Sequence, residues 1–275
     1  MTITRLEAID RGTGPTLLLL HGQPGSGSSW DPVTDRLADR FRVLAPDRPG
    51  YGSTAGEAQG IAANAVLAAA LLEMSGTGPA TVVAHSWAGG VGVLMADRYP
   101  HLVHGLVLVG AACTPDSLDG FDRLLALPVL GEALTAVGLL ALGEVLPKVR
   151  RLSPRVPAAY RDQFRATLPD QGVLGGERGA LGRHRRTFVS EQRALLDELP
   201  VVHAALSRLT VPTAVVVGAW DVVVRPGAGR TLATAIDGAE LVEIARAGHF
   251  VARDTPDELA TVIARYGQDA PVRAH

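Results

Sequence analysis

The chain has 275 residues, of which 47% are hydrophobic, so it can bury a full core and is not a disordered chain. A formal charge of -2 leaves no electrostatic case for nucleic acid or an anionic membrane surface. The single cysteine, Cys113, excludes an intrachain disulfide framework and thiolate zinc sites and is compatible with a reducing cytoplasm.

The first residues, Met1 to Glu7, lack the apolar stretch of a secretory leader. The most lipophilic stretch, 124–146, is broken by Pro128, Glu132 and Glu144, whereas a spanning helix needs roughly 20 unbroken apolar residues. The expectation is a soluble, cytoplasmic protein with no membrane span and no nucleic-acid partner.

In chain order, weak alternation over 3–9 and a compact apolar run over 16–20 predict two early strands around Arg11-Gly12-Thr13-Gly14-Pro15. The second ends at His21-Gly22 and opens into a loop rich in glycine, proline and serine, before helical spacing over 31–40. A strand follows at 41–45, closed by the loop Pro46-Asp47-Arg48-Pro49-Gly50-Tyr51-Gly52-Ser53, and then an alanine- and leucine-rich helix over 61–74 that stops before Gly76.

Thr81-Val82-Val83-Ala84 reads as a strand buried on both faces. It meets Ser86, beyond which the small residues Ala88, Gly89, Gly90 and Gly92 allow a helix to pack closely on the strand it has left. Another strand is expected at 106–109. From about Pro115 to Pro200 no apolar strand run is present, only helix-like segments at 124–127, 133–142, 158–168 and 187–199. Strands resume at 213–218 and 240–245, with helices near 228–236 and 256–266. The alternation predicts the α/β class, a mostly parallel sheet with helices on both faces, with a core of 1–114 and 201–275 and a helical insertion at 115–200.

In such a sheet, function sits in the loops at the carboxyl ends of the strands. Ala84-His85-Ser86-Trp87-Ala88 has the spacing of a nucleophile elbow, with alanine where glycine is usual, though a serine at a strand end also serves as a helix cap. A serine nucleophile needs a base. His249, after the last strand, is the best placed of eight histidines, against the plain alternative of a surface loop histidine. Asp221, after the strand 213–218, is placed to orient it, although an aspartate there is ordinarily a turn or cap residue. The order Ser86, Asp221, His249, each just past a different predicted strand, is what joins three weak signals into one.

On these motifs the chain resembles the α/β-hydrolases over nearly its full length outside the insertion. His21-Gly22-Gln23-Pro24-Gly25-Ser26 resembles the family's oxyanion loop, and Asp47-Arg48-Pro49-Gly50-Tyr51-Gly52-Ser53 resembles its Asp-x-Arg-Gly-x-Gly-x-Ser loop, with Pro49 replacing the first glycine. Gly218-Ala219-Trp220-Asp221 and Gly248-His249-Phe250 resemble its acid and base loops. Two departures are the alanines of the elbow and Pro226, which stands five residues past Asp221, one more than expected. The resemblance implies an oxyanion hole formed by the backbone N–H groups of Gln23 and Trp87, and a cap formed by the insertion. His21 and His85 are expected to be structural neighbours of the site, and neither a metal nor a cofactor is expected.

The chain also resembles the epoxide hydrolase and haloalkane dehalogenase branches through His21-Gly22-Gln23-Pro24 and the tryptophan after the nucleophile. Their chemistry uses a carboxylate at the position of Ser86, because an alkylated serine would be an ether that water does not cleave. Ser86 therefore implies acyl chemistry: hydrolysis of a carboxylic ester, lactone or thioester of a modest-sized apolar small molecule. Alternatives are a hydrolase-fold binding protein with little turnover, and a carbon-carbon bond hydrolase or cofactor-free perhydrolase. Leucines of 124–146 either line an acyl pocket or pack the cap on the core. Arg178, Arg183, Arg185, Arg186 and Arg193 are expected to form a solvated helix face rather than to receive an anionic substrate.

Overall fold

Seven strands form one sheet: β1 (Ala8–Arg11), β2 (Thr16–Leu20), β3 (Arg42–Pro46), β4 (Ala80–His85), β5 (Val103–Val109), β6 (Thr213–Gly218) and β7 (Glu240–Ile244). A computed structural model describes residues 5–127, 129–140 and 178–267. The strand order is β1-β3-β2-β4-β5-β6-β7. All neighbours are parallel except β1, which runs antiparallel to β3 with Ile9 opposite Ala45. The first strand overlaps its expected span of 3–9 only at Ala8 and Ile9 and runs on to Arg11, because its pairing with the edge of β3 begins at Ala8 opposite Pro46. Residues 1–4 lie outside the described residues.

The continuous apolar runs of β2, β4, β5 and β6 have a direct cause: alternate side chains enter two different cores. Leu18, Leu20, Val82, Ala84, Leu106, Leu108, Val215 and Val217 face one core, together with side chains of α2 (Ile61–Met74) and α3 (Gly89–Arg98). Leu17, Leu19, Val83, Val107, Val109, Ala214 and Val216 face the other, with α1 (Asp31–Leu37) and the last helix, Pro256–Gly267. In α2 the buried positions Ile61, Ala65, Ala68 and Leu72 recur at helical spacing, so a helix that is apolar all round still presents one stripe to the sheet.

Between β5 and β6 lies the inserted helical region, 130–208, preceded by the short helix α4 (Gly120–Leu125). Asp119 caps α4 by accepting the N–H groups of Phe121 and Asp122. The region contains α5 (Leu130–Leu140) and α6 (Arg178–Ala205). The helix expected at 187–199 is thus the middle of a longer one, which continues through Pro200 on its exposed side. The expected helix at 158–168, and the parts of 124–146 and 133–142 beyond residue 140, lie outside the described residues. The chain then adds α7 (Pro226–Ala235), α8 (Val251–Asp254) and α9 (Pro256–Gly267).

Helix α6 is fastened to the core by charge as well as packing. The Glu198 carboxylate accepts the first N–H groups of α2, from Ile61 at 3.1 Å and Ala62 at 2.7 Å. These are donors that a helix cannot satisfy internally, and a carboxylate also suits the positive end of the helix dipole. Among the described residues no helix is long and apolar enough to cross a membrane.

Candidate active site

Ser86 follows β4 directly and has φ of +55°, the left-handed region that a residue with a side chain rarely adopts. Such a turn points the hydroxyl out of the strand end. The small residues expected after it are required by close packing: a Cβ at Gly92 would lie 2.9 Å from the Ala84 methyl, and one at Gly89 would lie 2.5 Å from that of Ala111. The alanine at 84 is therefore accommodated by a glycine two turns later in the chain, on the helix packed against it. Both Ala84 and Ala88 are fully buried.

His249 Nε2 is 3.0 Å from Ser86 Oγ, and His249 Nδ1 is 2.8 Å from Asp221 Oδ2. All three side chains are buried, with only 8% of Ser86 exposed. The other oxygen of Asp221 accepts the N–H groups of Val223 at 2.8 Å and Val224 at 2.9 Å. Those bonds hold the carboxylate in place, and the turn they close absorbs the extra residue before Pro226, where α7 begins. The loops that carry Asp221 and His249 are joined through their backbones, Trp220 N–H to Ala247 O at 3.0 Å. They approach so closely that a Cβ at Gly218 would lie 2.2 Å from the Gly248 carbonyl oxygen.

The loop after β2 lies against the elbow: a Cβ at Gly22 would be 2.7 Å from His85 Nδ1 and 3.0 Å from Ser86 Cβ. Gln23 and Trp87, the expected oxyanion residues, both reach helix α6 with their side chains. Gln23 Nε2 donates to the Phe188 carbonyl at 2.6 Å, and Trp87 Nε1 donates to the Glu191 carbonyl at 2.9 Å.

The other two histidines near the elbow are neutral hydrogen-bonding parts. His21 Nε2 accepts from the Arg48 N–H at 3.0 Å, so Nδ1 carries the proton and donates to the Gly22 carbonyl at 2.9 Å. Burial, and then the Arg48 charge, hold its pKa well below the usual histidine value. His85 Nε2 is 2.9 Å from the His249 carbonyl and donates to it. Burial, reinforced by neighbouring His249, lowers the His85 pKa to about 3.

The motif loop 47–53 gave no sign of the partner that two of its residues, Arg48 and Tyr51, share. Beneath the elbow, Arg48 is buried against the Glu191 carboxylate of α6, and Tyr51 Oη donates to Glu191 Oε2 at 2.8 Å. Burial raises the Glu191 pKa, with the Arg48 charge acting against it. A signal for the cluster was present in the sequence: Glu191 and Glu198 are seven residues apart on the same stripe of α6 as buried Leu195 and Val202. Of the arginines on α6, Arg193 is exposed and donates to the Ala126 carbonyl, Arg186 is exposed, and half-buried Arg185 pairs with Glu132. The side chains of Arg178 and Arg183 lie outside the described residues. Among the described residues no group of three or more His, Cys, Asp or Glu is placed to hold a metal ion.

Residues 17–262 match the Alpha/beta hydrolase family, and the chain belongs to it. It is 29% identical to haloalkane dehalogenase 2 of Mycobacterium tuberculosis (strain ATCC 25618 / H37Rv) over 96% of this chain and 92% of that one. It is equally 29% identical to the pimeloyl-[acyl-carrier protein] methyl ester esterase of Stenotrophomonas maltophilia (strain K279a), over 93% of each. Among solved structures it resembles a thermophilic esterase from Thermogutta terrifontis, with a TM-score of 0.74 and 23% identity over 95% of this chain and 92% of that one.

Proposed function

We propose that the chain is a cofactor-independent serine hydrolase that cleaves a carboxylic ester, lactone or thioester of a modest-sized apolar molecule. The observation that carries this reading is the unbroken line from Asp221 Oδ2 through His249 to Ser86 Oγ, with contacts of 2.8 and 3.0 Å. Both lie within the hydrogen-bond range that a nucleophile and its base require.

In the proposed reaction Ser86 Oγ attacks the carbonyl carbon as its proton passes to His249 Nε2. Asp221 stabilises the imidazolium that forms and holds its tautomer. The carbonyl oxygen takes up negative charge opposite the backbone N–H groups of Gln23 and Trp87, and loss of one such donor typically costs about 3 to 4 kcal/mol in the barrier. His249 then returns the proton to the leaving alkoxide, and the acyl group remains on Ser86. Water, deprotonated by the same imidazole, releases the acid and restores Ser86. In this reading residues 115–200 are the cap over a core of 1–114 and 201–275.

The similarity to the methyl ester esterase favours ester substrates. The similarity to a haloalkane dehalogenase does not carry displacement of halide to this chain, because a serine alkylated at Ser86 Oγ would be an inert ether. The test is hydrolysis of chromogenic esters of increasing acyl length by the native protein, Ser86→Ala and His249→Ala, with fluorophosphonate labelling in parallel. Turnover and labelling that depend on Ser86 support the reading. Ester turnover that survives Ser86→Ala overturns it.

A further inference from the structure

We propose that Glu191 and Arg48 are positioning residues through which helix α6 aims the oxyanion hole, so that the inserted helical region helps to set the rate of the chemical step as well as the choice of substrate. The inference rests on the serine-hydrolase reading above.

The Gly22 carbonyl and the Gln23 N–H belong to one planar peptide, so the direction of the first fixes that of the second. Two donors hold that carbonyl, Arg48 Nη2 at 2.9 Å and His21 Nδ1 at 2.9 Å. Arg48 Nε also donates to the His21 carbonyl at 3.1 Å. A single guanidinium thus grips two successive peptides of the oxyanion loop, which a fork of fixed geometry can do and a lysine ammonium cannot. The guanidinium is aimed in turn from α6: Glu191 accepts from Arg48 Nη1 and, at 3.4 Å, from Nη2. Tyr51 holds the far carboxylate oxygen.

Trp87, the other expected donor, is held by the same parts. Its indole N–H donates to the Glu191 backbone carbonyl, and the Arg48 guanidinium carbon stands 4.4 Å from the ring centroid. The Gln23 side chain donates to Phe188, one turn earlier on the same helix. Both donor residues are therefore referenced to one turn of α6. Displacing that turn releases the Glu191 contact, and the peptides that Arg48 holds are freed to rotate.

The test compares native protein with Arg48→Lys, Tyr51→Phe and the double replacement Arg48→Met/Glu191→Met. The readouts are kcat and KM on chromogenic esters, the rate of fluorophosphonate labelling at Ser86, and thermal unfolding. Arg48→Lys keeps the charge pair and loses the fork. The double replacement removes both buried charges together, so neither is left unpaired, and it is expected to fold. Per folded molecule, Arg48→Lys and the double replacement are expected to lose tenfold or more in kcat and in labelling rate at nearly unchanged KM, with Tyr51→Phe between them and native. That split marks an interaction made in the transition state rather than in binding. Native kcat and native labelling rate in a folded Arg48→Lys or double variant overturn the inference and leave the hydrolase reading intact. Native protein that is labelled at Ser86 but turns over no ester contradicts the ester assignment alone, and the labelling rates still decide the role of α6. Native protein that shows neither reaction overturns both.

Discussion

His85 Nε2 donates to the main-chain carbonyl of His249 across 2.9 Å, joining the residue before Ser86 to the loop that carries His249. Imidazolium could donate the same bond, so it is burial, reinforced by neighbouring His249, that lowers the His85 pKa to about 3 and keeps the ring neutral. The native state binds a proton at His85 far less readily than the unfolded chain does, whose histidines titrate near 6.5. Stability from this group is complete above about pH 6.5 and is lost as pH falls from there towards 3, at up to about 1.4 kcal/mol per pH unit for one proton. Urea midpoints between pH 7 and 4 should fall steeply for the native protein. His85→Gln, which does not titrate, should show a shallower slope. His21 is shifted in the same direction and keeps part of the slope in that variant.

Removal of any one of Ser86, His249 and Asp221 is expected to stop ester turnover nearly completely. Ser86→Ala and His249→Ala should each lose on the order of 10⁴-fold or more in kcat, and the double variant should be little worse than either, because the residues act as one unit. Additive losses in steady-state kinetics would contradict that unit.

Gly92→Ala places a methyl 2.9 Å from the Ala84 methyl and is expected to destabilise the fold by about 1 to 3 kcal/mol, despite alanine's better helix propensity. Ala84→Gly in the same chain removes the closer of the two tight contacts and leaves that with Leu106 Cδ1 at 3.1 Å. Denaturant midpoints of the two single variants and the double variant should therefore show a favourable coupling. Independent, additive losses would mean that the two sites do not meet.

Glu198→Ala removes the carboxylate that accepts the Ile61 and Ala62 N–H groups. The expected cost is about 1 kcal/mol, that of a lost helix cap, with Glu198→Gln costing less because it keeps an acceptor. Equal urea midpoints for native protein and Glu198→Ala would show that solvent replaces the contact.

Cys113 is buried and its thiol pKa is raised to about 12. Thiolate is the reactive form, so a disulfide reagent should not modify the native protein at pH 8 and should modify it once denaturant unfolds the core. Rapid reaction in the native state would place Cys113 at the surface.

What could be read from the sequence divides along a physical line. The helix 61–74 and the strand 213–218 coincide with Ile61–Met74 and Thr213–Gly218 because each is bounded by a glycine or proline signal that acts locally. The bounds of the first strand differ from the expected 3–9 because they depend on which part of β3 lies open beside it, a fact of pairing and not of local preference. At the candidate site, the juxtaposition of Ser86, Asp221 and His249 could be expected because each sits at the end of a recognisable strand and their order in the chain is informative. Arg48 and Glu191 could not be paired: 143 residues separate them, and nothing local says which arginine a buried glutamate will meet.

The contact between Ser86 and His249 joins residues 163 positions apart. During synthesis, domains form progressively as the chain emerges, and the elbow can fold against β2, β4 and β5 long before His249 has been translated. A nascent chain halted after β6 would carry Ser86 in its left-handed turn without β7 and without the loop beyond β7 that holds His249. In the proposed mechanism competence would then arrive only with the segment after β7 that carries His249, which makes the onset of fluorophosphonate labelling a clock for completion of the fold.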